Sequence, residues 1–263
     1  MTDLLGFTVR DIQIFVLLLT RIGTVFTIAP IFGNITVDMR IKAAIALVIT
    51  MVLFPLADKS HVGELGNTAW GFLPLVFSEF LVGFAIGFGI RLFFQAVEFA
   101  GFLFSQEIGL SVAQMFDPEF GQIPVLAQFF VLFTSVLFLS ADLHHWMLQA
   151  FWDSYQYVPL ASVNFSGQFT EHLIRMSAQV ITVGFTIAGP VFACMFLVTT
   201  VLGIMSRVLP TLNIFMVGFS AKTMIGFFVL FLFIELYALA FGKLFSGFRV
   251  DVETLIRLMG PGA

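Results

Sequence analysis

The sequence predicts an integral membrane protein built on about six long apolar segments. Three observations carry that reading. Of the 263 residues, 59% are hydrophobic and only 11% are charged, whereas soluble domains run at about 25% charged and need a polar surface. The mean hydropathy is +1.04. The apolar residues also gather into runs, several of them close to the roughly 20 residues that cross about 30 Å of hydrocarbon.

The first run, Ile12–Ile28, is interrupted by Arg21 and closed by Pro30-Ile31-Phe32-Gly33. Asp3 and Asp11 stand where a signal peptide carries basic residues, and no small-x-small cleavage site follows, so this run reads as retained. A polar hinge from Asn34 to Lys42 leads to a second run, Ala43–Ala57, which is short for a span. Asp58 to Asn67 is a loop rich in turn formers. The third run, Leu73–Phe104, would reach about 48 Å as one helix. It must tilt strongly, break, or continue outside the lipid. Ser105–Pro124, with Gly109, Pro118, Gly121 and Pro124, reads as a loop.

The fourth run is Val125–Ala141, and the longest polar stretch, Asp142–Arg175, follows it. The fifth run, Ala178–Met205, has Gly184, Gly189 and Pro190 near its middle. A compact turn, Ser206–Asn213, precedes the last run, Ile214–Phe241. The tail, Gly242–Ala263, is predicted to form a short amphipathic helix before Gly260-Pro261-Gly262. As the most basic exposed segment it points to the cytoplasm.

Charges inside apolar runs are the most informative residues. Arg21, Glu79, Arg91, Glu98, Lys222 and Glu235 lie within or beside such runs. Each costs a few kcal/mol at the bilayer centre if it faces lipid, so each is expected to face protein or a water-filled cavity. Either an ion path or pairing between helices of an assembly satisfies them. The lack of a dedicated carboxylate relay favours pairing. Gly83 and Gly87, four apart, predict close helix packing. The segment Gly109–Gly121 is a loop by its Gly and Pro content yet carries Leu110, Val112, Met115, Phe116 and Phe120. It packs on neighbouring helices or closes a narrow pore by dewetting.

Several function classes find no support. A net charge of -4 offers no basic patch for nucleic acid. Cys194 is the single cysteine, so no internal disulfide forms. His144-His145 has no third ligand at a useful spacing and reads as an interfacial loop pair. Neither H-E-x-x-H nor G-x-S-x-G occurs.

Four stretches carry a family resemblance. They are Arg21 through Pro30-Ile31-Phe32-Gly33 with Arg40-Ile41-Lys42; Ala100-Gly101 through Gly109-Leu110 to Phe116-Asp117-Pro118; Pro124-Val125-Leu126-Ala127; and Arg207-Val208-Leu209-Pro210 through Asn213-Ile214-Phe215 to Gly218-Phe219. In order and spacing they resemble the FliR family of flagellar export-gate proteins, whose injectisome relatives are called SctT, over nearly the whole chain. One departure is Ser220, where the family commonly has proline after the Gly-Phe pair.

The resemblance implies an all-α subunit whose helical hairpins are bent and partly lifted out of the bilayer. It implies one membrane-embedded domain, with residues 1–175 like FliP and residues 176–263 like FliQ. The loop at about 105–124, with Leu110, Val112, Met115, Phe116, Asp117, Pro118 and Phe120, would plug a pore. Arg207, Pro210, Asn213, Phe215 and Gly218 would form a family turn. The implied partners are FliP and FliQ, with FlhB and FlhA, and the cargo is unfolded flagellar protein. The implied place is the bacterial inner membrane at the flagellar basal body. Energy would come from other components and the proton gradient, so no enzyme activity, cofactor or nucleotide site is expected. The alternative is a small-solute or ion transporter with a midplane site at Arg91, Glu98 and Lys222.

Overall fold

The computed structural model describes residues 8–30, 38–56, 69–110, 124–208 and 214–261. Among the described residues all regular structure is helical. The helices are α1 (Val9–Ile28), α2 (Met39–Leu53, followed by a short 3-10 turn, Phe54–Leu56), α3 (Ala69–Ile108), α4 (Val125–Ser140), α5 (Leu143–Tyr157), α6 (Gly167–Val208) and α7 (Ile214–Leu258). Five of them are long and apolar enough to cross a membrane, or six if the bent pair α4 and α5 is counted as one span. The prediction of about six apolar segments in a membrane protein holds.

Local chemistry explains where these helices begin and end. Thr8 and Asp11 form a capping box at the start of α1: the Thr8 hydroxyl oxygen accepts from the Asp11 N–H and the Asp11 carboxylate accepts from the Thr8 N–H. Pro30 then holds Ala29 extended, with ψ 124°, and stops the helix. Asp38 caps α2 by accepting from the Arg40 N–H at 3.0 Å. Gly109 takes φ +88° directly after α3, a conformation that glycine adopts without steric cost.

The helices run longer than the apolar runs. The third run is one unbroken helix of 40 residues, about 60 Å long. The polar stretch Asp142–Arg175 is mostly helical: it makes α5 and the first turns of α6, so His144 and His145 open a helix instead of lying in a loop. The tail is not a separate amphipathic helix. It is the last part of the 45-residue α7, and Val252, Leu255, Ile256 and Met259 are buried. Nothing between Phe241 and Leu258 breaks the helix, and burial of these apolar positions extends it.

Polar side chains within the apolar helices are mostly satisfied by their own backbone. Thr20, Thr24 and Thr27 donate to the carbonyls of Val16, Thr20 and Gly23 at 2.7–2.8 Å. Thr186, Thr199 and Thr200 do the same in α6. A hydroxyl bonded to the carbonyl one turn back is inexpensive in hydrocarbon.

Two compact units interleave along the sequence. The first comprises Met1–Leu92, Asp142–Met176 and Gly247–Ala263, and the second Phe93–Ala141 and Ser177–Ser246. In the first, Ile14, Leu17, Leu18 and Leu160 form a buried core with Phe72, Leu75, Val76 and Tyr155 packed against it. In the second, the core is aromatic. Phe93, Phe241 and Phe245 pack edge-on with centroids 5.2–5.7 Å apart or stack, and Phe104 stacks on Phe130 at 4.8 Å.

Candidate functional site

The most connected polar site lies within the first unit, on α1, α3 and α5. Arg21 and Glu79 are buried to 1% and 2% side-chain exposure, and Arg21 Nε donates to Glu79 Oε2 at 2.6 Å. Arg21 Nη1 donates to the carbonyls of Ser154 and Val158, both at 3.0 Å. The Val158 carbonyl lies just past α5, where intrahelical donors run out, whereas the Ser154 carbonyl also accepts from the Val158 N–H. The guanidinium lies over the Tyr155 ring, 4.3 Å from its centroid, in cation–π geometry. The second oxygen of Glu79 accepts from the Ala161 N–H at 3.0 Å. Ala161 sits at φ +64°, a left-handed backbone rare for alanine, and Glu79 pins that turn.

Two glycines of α3 admit α1 to this site. A β-carbon at Gly83 would lie 2.5 Å from the Arg21 carbonyl oxygen, and one at Gly87 would lie 3.0 Å from the Ile28 β-carbon. Close approach of α1 and α3 depends on the absence of those side chains. The two charges therefore neutralise each other inside the chain, while Arg21 Nη2 is buried without a hydrogen-bond partner among the described residues.

A second polar cluster fixes the end of α7 within the same unit. Glu253 Oε1 accepts from Trp146 Nε1 at 3.1 Å and from Arg249 Nε at 2.9 Å. His172 Nε2 lies 2.9 Å from the Asp251 carbonyl oxygen, and the Asn164 N–H donates to the Met259 carbonyl. In the second unit, the buried hydroxyls of Thr134 and Tyr237 bond at 2.8 Å. Gly101 lets α3 meet α4, since a β-carbon there would lie 2.6 Å from the Ala127 Cα.

Apolar faces without a cover are as evident as these cores. Met39, Val48, Met51 and Val52 are exposed on α2. Phe196, Leu197, Val201 and Ile204 are exposed on α6. A groove of about 670 Å³ runs between α1, α2 and α3, lined among others by Thr24, Ala46, Phe80 and Phe84.

A membrane chain of this pattern meets its match in the family model described as bacterial export proteins, family 1, which covers residues 12–248. The chain belongs to that family. Among its relatives, the flagellar biosynthetic protein FliR of Bacillus subtilis is 29% identical over 250 residues, covering 94% of this chain and 95% of the relative. That of Aquifex aeolicus is 27% identical, with 87% and 88% covered. That of Escherichia coli is 27% identical, with 79% of each covered. The matched region contains Arg21, Glu79, Arg91, Glu98, Lys222 and Glu235, the six charges within or beside the apolar runs.

The structure brings some of those residues together and not others. Arg21 meets Glu79. Glu98 is half-buried and accepts from Gln95 Nε2 at 2.9 Å. Arg91 and Glu235 are exposed, and Lys222 is half-buried. Leu110 is half-buried just beyond α3, while Val112, Met115, Phe116, Asp117, Pro118 and Phe120 lie outside the described residues. Of the family turn, Arg207 is exposed and Gly218 buried. Pro210 and Asn213 lie outside the described residues, and Phe215 is described only as part of α7. Ser154, Val158 and Ala161 contribute through their backbones, and the Ser154 hydroxyl adds a longer contact, accepting from Arg21 Nη1 at 3.4 Å. The sequence carries no signal for them beyond the Pro159 turn.

Sequence reasoning also passed over Asp142. One ligand atom from each of Asp142, His144 and His145 lies within 4.8 Å of the others, which supplies the third donor the histidine pair lacks in the linear reading.

Proposed function

We propose that this chain is a non-enzymatic structural and gating subunit of the flagellar protein-export gate, in the bacterial inner membrane at the basal body. Its partners in this reading are FliP and FliQ, with FlhB and FlhA beside them, and its cargo is unfolded flagellar protein. The observation that carries the reading is the export-family match over residues 12–248. The uncovered apolar faces of α2 and α6 support it, because companion helices or lipid must cover them. Residues 1–175 act as a FliP-like half and residues 176–263 as a FliQ-like half. The segment at about 105–124, whose first residues Ser105–Ile108 belong to α3, plugs the pore from within.

Co-expression with candidate partners tests the assembly. A stable complex with small helical membrane proteins is expected on purification, and a chain that stays alone beside them contradicts it. Deleting Leu110–Phe120 tests the plug: assembly persists and ions leak. A deletion that stays tight to ions and exports normally removes the plug from the reading. Solute uptake by the chain alone in liposomes would instead support a transporter.

A further inference from the structure

We propose that Asp142, His144 and His145 form a binding site for a divalent transition-metal ion of borderline hardness, with Zn²⁺ as its natural occupant. The site sits at the break between α4 and α5, within the first compact unit. Asp142 is the N-cap of α5, but it stands at φ 54° and makes no side-chain cap bond. An aspartate at this position ordinarily spends its carboxylate on the free N–H groups of the first turn. Here the left-handed turn directs the carboxylate to His145 instead, with Oδ1 3.8 Å from Nδ1. The two imidazole rings lie 4.1 Å apart between centroids. His144 is half-buried, and its Nδ1 is buried with no hydrogen-bond partner.

Two imidazole nitrogens and one carboxylate oxygen are the donor set that Zn²⁺ accepts in sites with an open fourth position. Ligand atoms on one tetrahedral ion sit about 3.3 Å apart, so the three groups must close by an ångström or so. The side chains of Asp142 and His145 are 74% and 70% exposed, and such side chains turn between rotamers freely. His144 is the fixed member of the set. The fourth position is left to water or to a group from another chain. The site does not depend on the export reading.

The test is a titration of the full chain in detergent, free of any affinity tag, with Co²⁺ and then Zn²⁺. One Co²⁺ per chain is expected, with a visible ligand-field band far stronger than that of the hydrated ion, which marks a four-coordinate site, and Zn²⁺ should abolish the band. Asp142→Asn retains a residue that tolerates the left-handed backbone, and His145→Ala alters an exposed side chain. Each should weaken binding about tenfold or more. Absence of stoichiometric binding by the unsubstituted chain, or binding by either variant as tight as that of the unsubstituted chain, overturns the proposal.

Discussion

Helices α1 and α6 are both candidate spans, and they use their apolar residues in opposite ways. In the most apolar stretch of α1, 44% of the residues are buried inside the molecule, whereas in α6, the more apolar of the two, only 17% are. A protein folded in water would bury the greasier helix. In a bilayer, lipid tails are as apolar as leucine, so apolarity alone does not drive a helix inward. What selects α1 for the interior is Arg21, which must be sheltered, and the glycines of α3 that let α1 approach. The inside of this protein is organised by its few polar contacts and small residues. The outside is where its most uniform apolar surface lies.

The sharpest way to break the contrast is to strand the buried charge. Glu79→Ala leaves Arg21 without its anion, and loss of one partner of a buried pair costs about 3–5 kcal/mol. The protein should fail to accumulate, or melt at much lower temperature in detergent. Arg21→Met combined with Glu79→Leu should recover at least half of that loss, because a buried pair and a packed apolar pair differ little in stability. If the double variant is no better than Glu79→Ala, the pair has a role beyond mutual neutralisation.

Gly83→Val comes next. Its β-carbon would meet a backbone oxygen, which cannot rotate away, and overpacking of this kind costs about 1–3 kcal/mol. A thermal shift no larger than that of an exposed substitution would show that α1 and α3 separate easily. In the second unit, Tyr237→Phe removes one interhelical hydroxyl bond and should cost about 0.6 kcal/mol, the average for such bonds in a membrane. The smallest effect on the chain itself is expected for Leu197→Ser on the uncovered face of α6, within about 0.5 kcal/mol. The same variant should co-purify less with its partners. Normal co-purification would assign that face to lipid.

Much of this arrangement was legible in the sequence. The apolar runs gave the spans, Arg21 and Glu79 announced a need for shelter, and the Gly83/Gly87 spacing announced a close helix contact. Helix ends were less legible. Residues such as Glu171, His172 and Arg175 before the fifth run, or Arg249 and Glu253 after the last, read as a polar stretch and a tail. Polar residues do not stop a helix when neighbouring apolar positions find a core, as Val252 and Leu255 do. The rest of the Arg21 site was illegible for a different reason. Its two shorter acceptors at the end of α5 are carbonyls, which every residue possesses, and they lie 133 and 137 positions from Arg21. The third donor beside the two histidines depends on one backbone angle at Asp142, and no spacing rule encodes it.

The Arg21 network has a consequence for the order of synthesis. Chains leave the ribosome from the N-terminus, so Arg21 and Glu79 are both delivered well before Ser154, Val158 and Ala161 exist. During that interval the guanidinium lacks two acceptors and the carboxylate lacks one donor. The part of the polypeptide before Ser154 can therefore thread into the membrane early, but α1 and α3 settle into their final contact only once the Ala161 turn has emerged to complete the set.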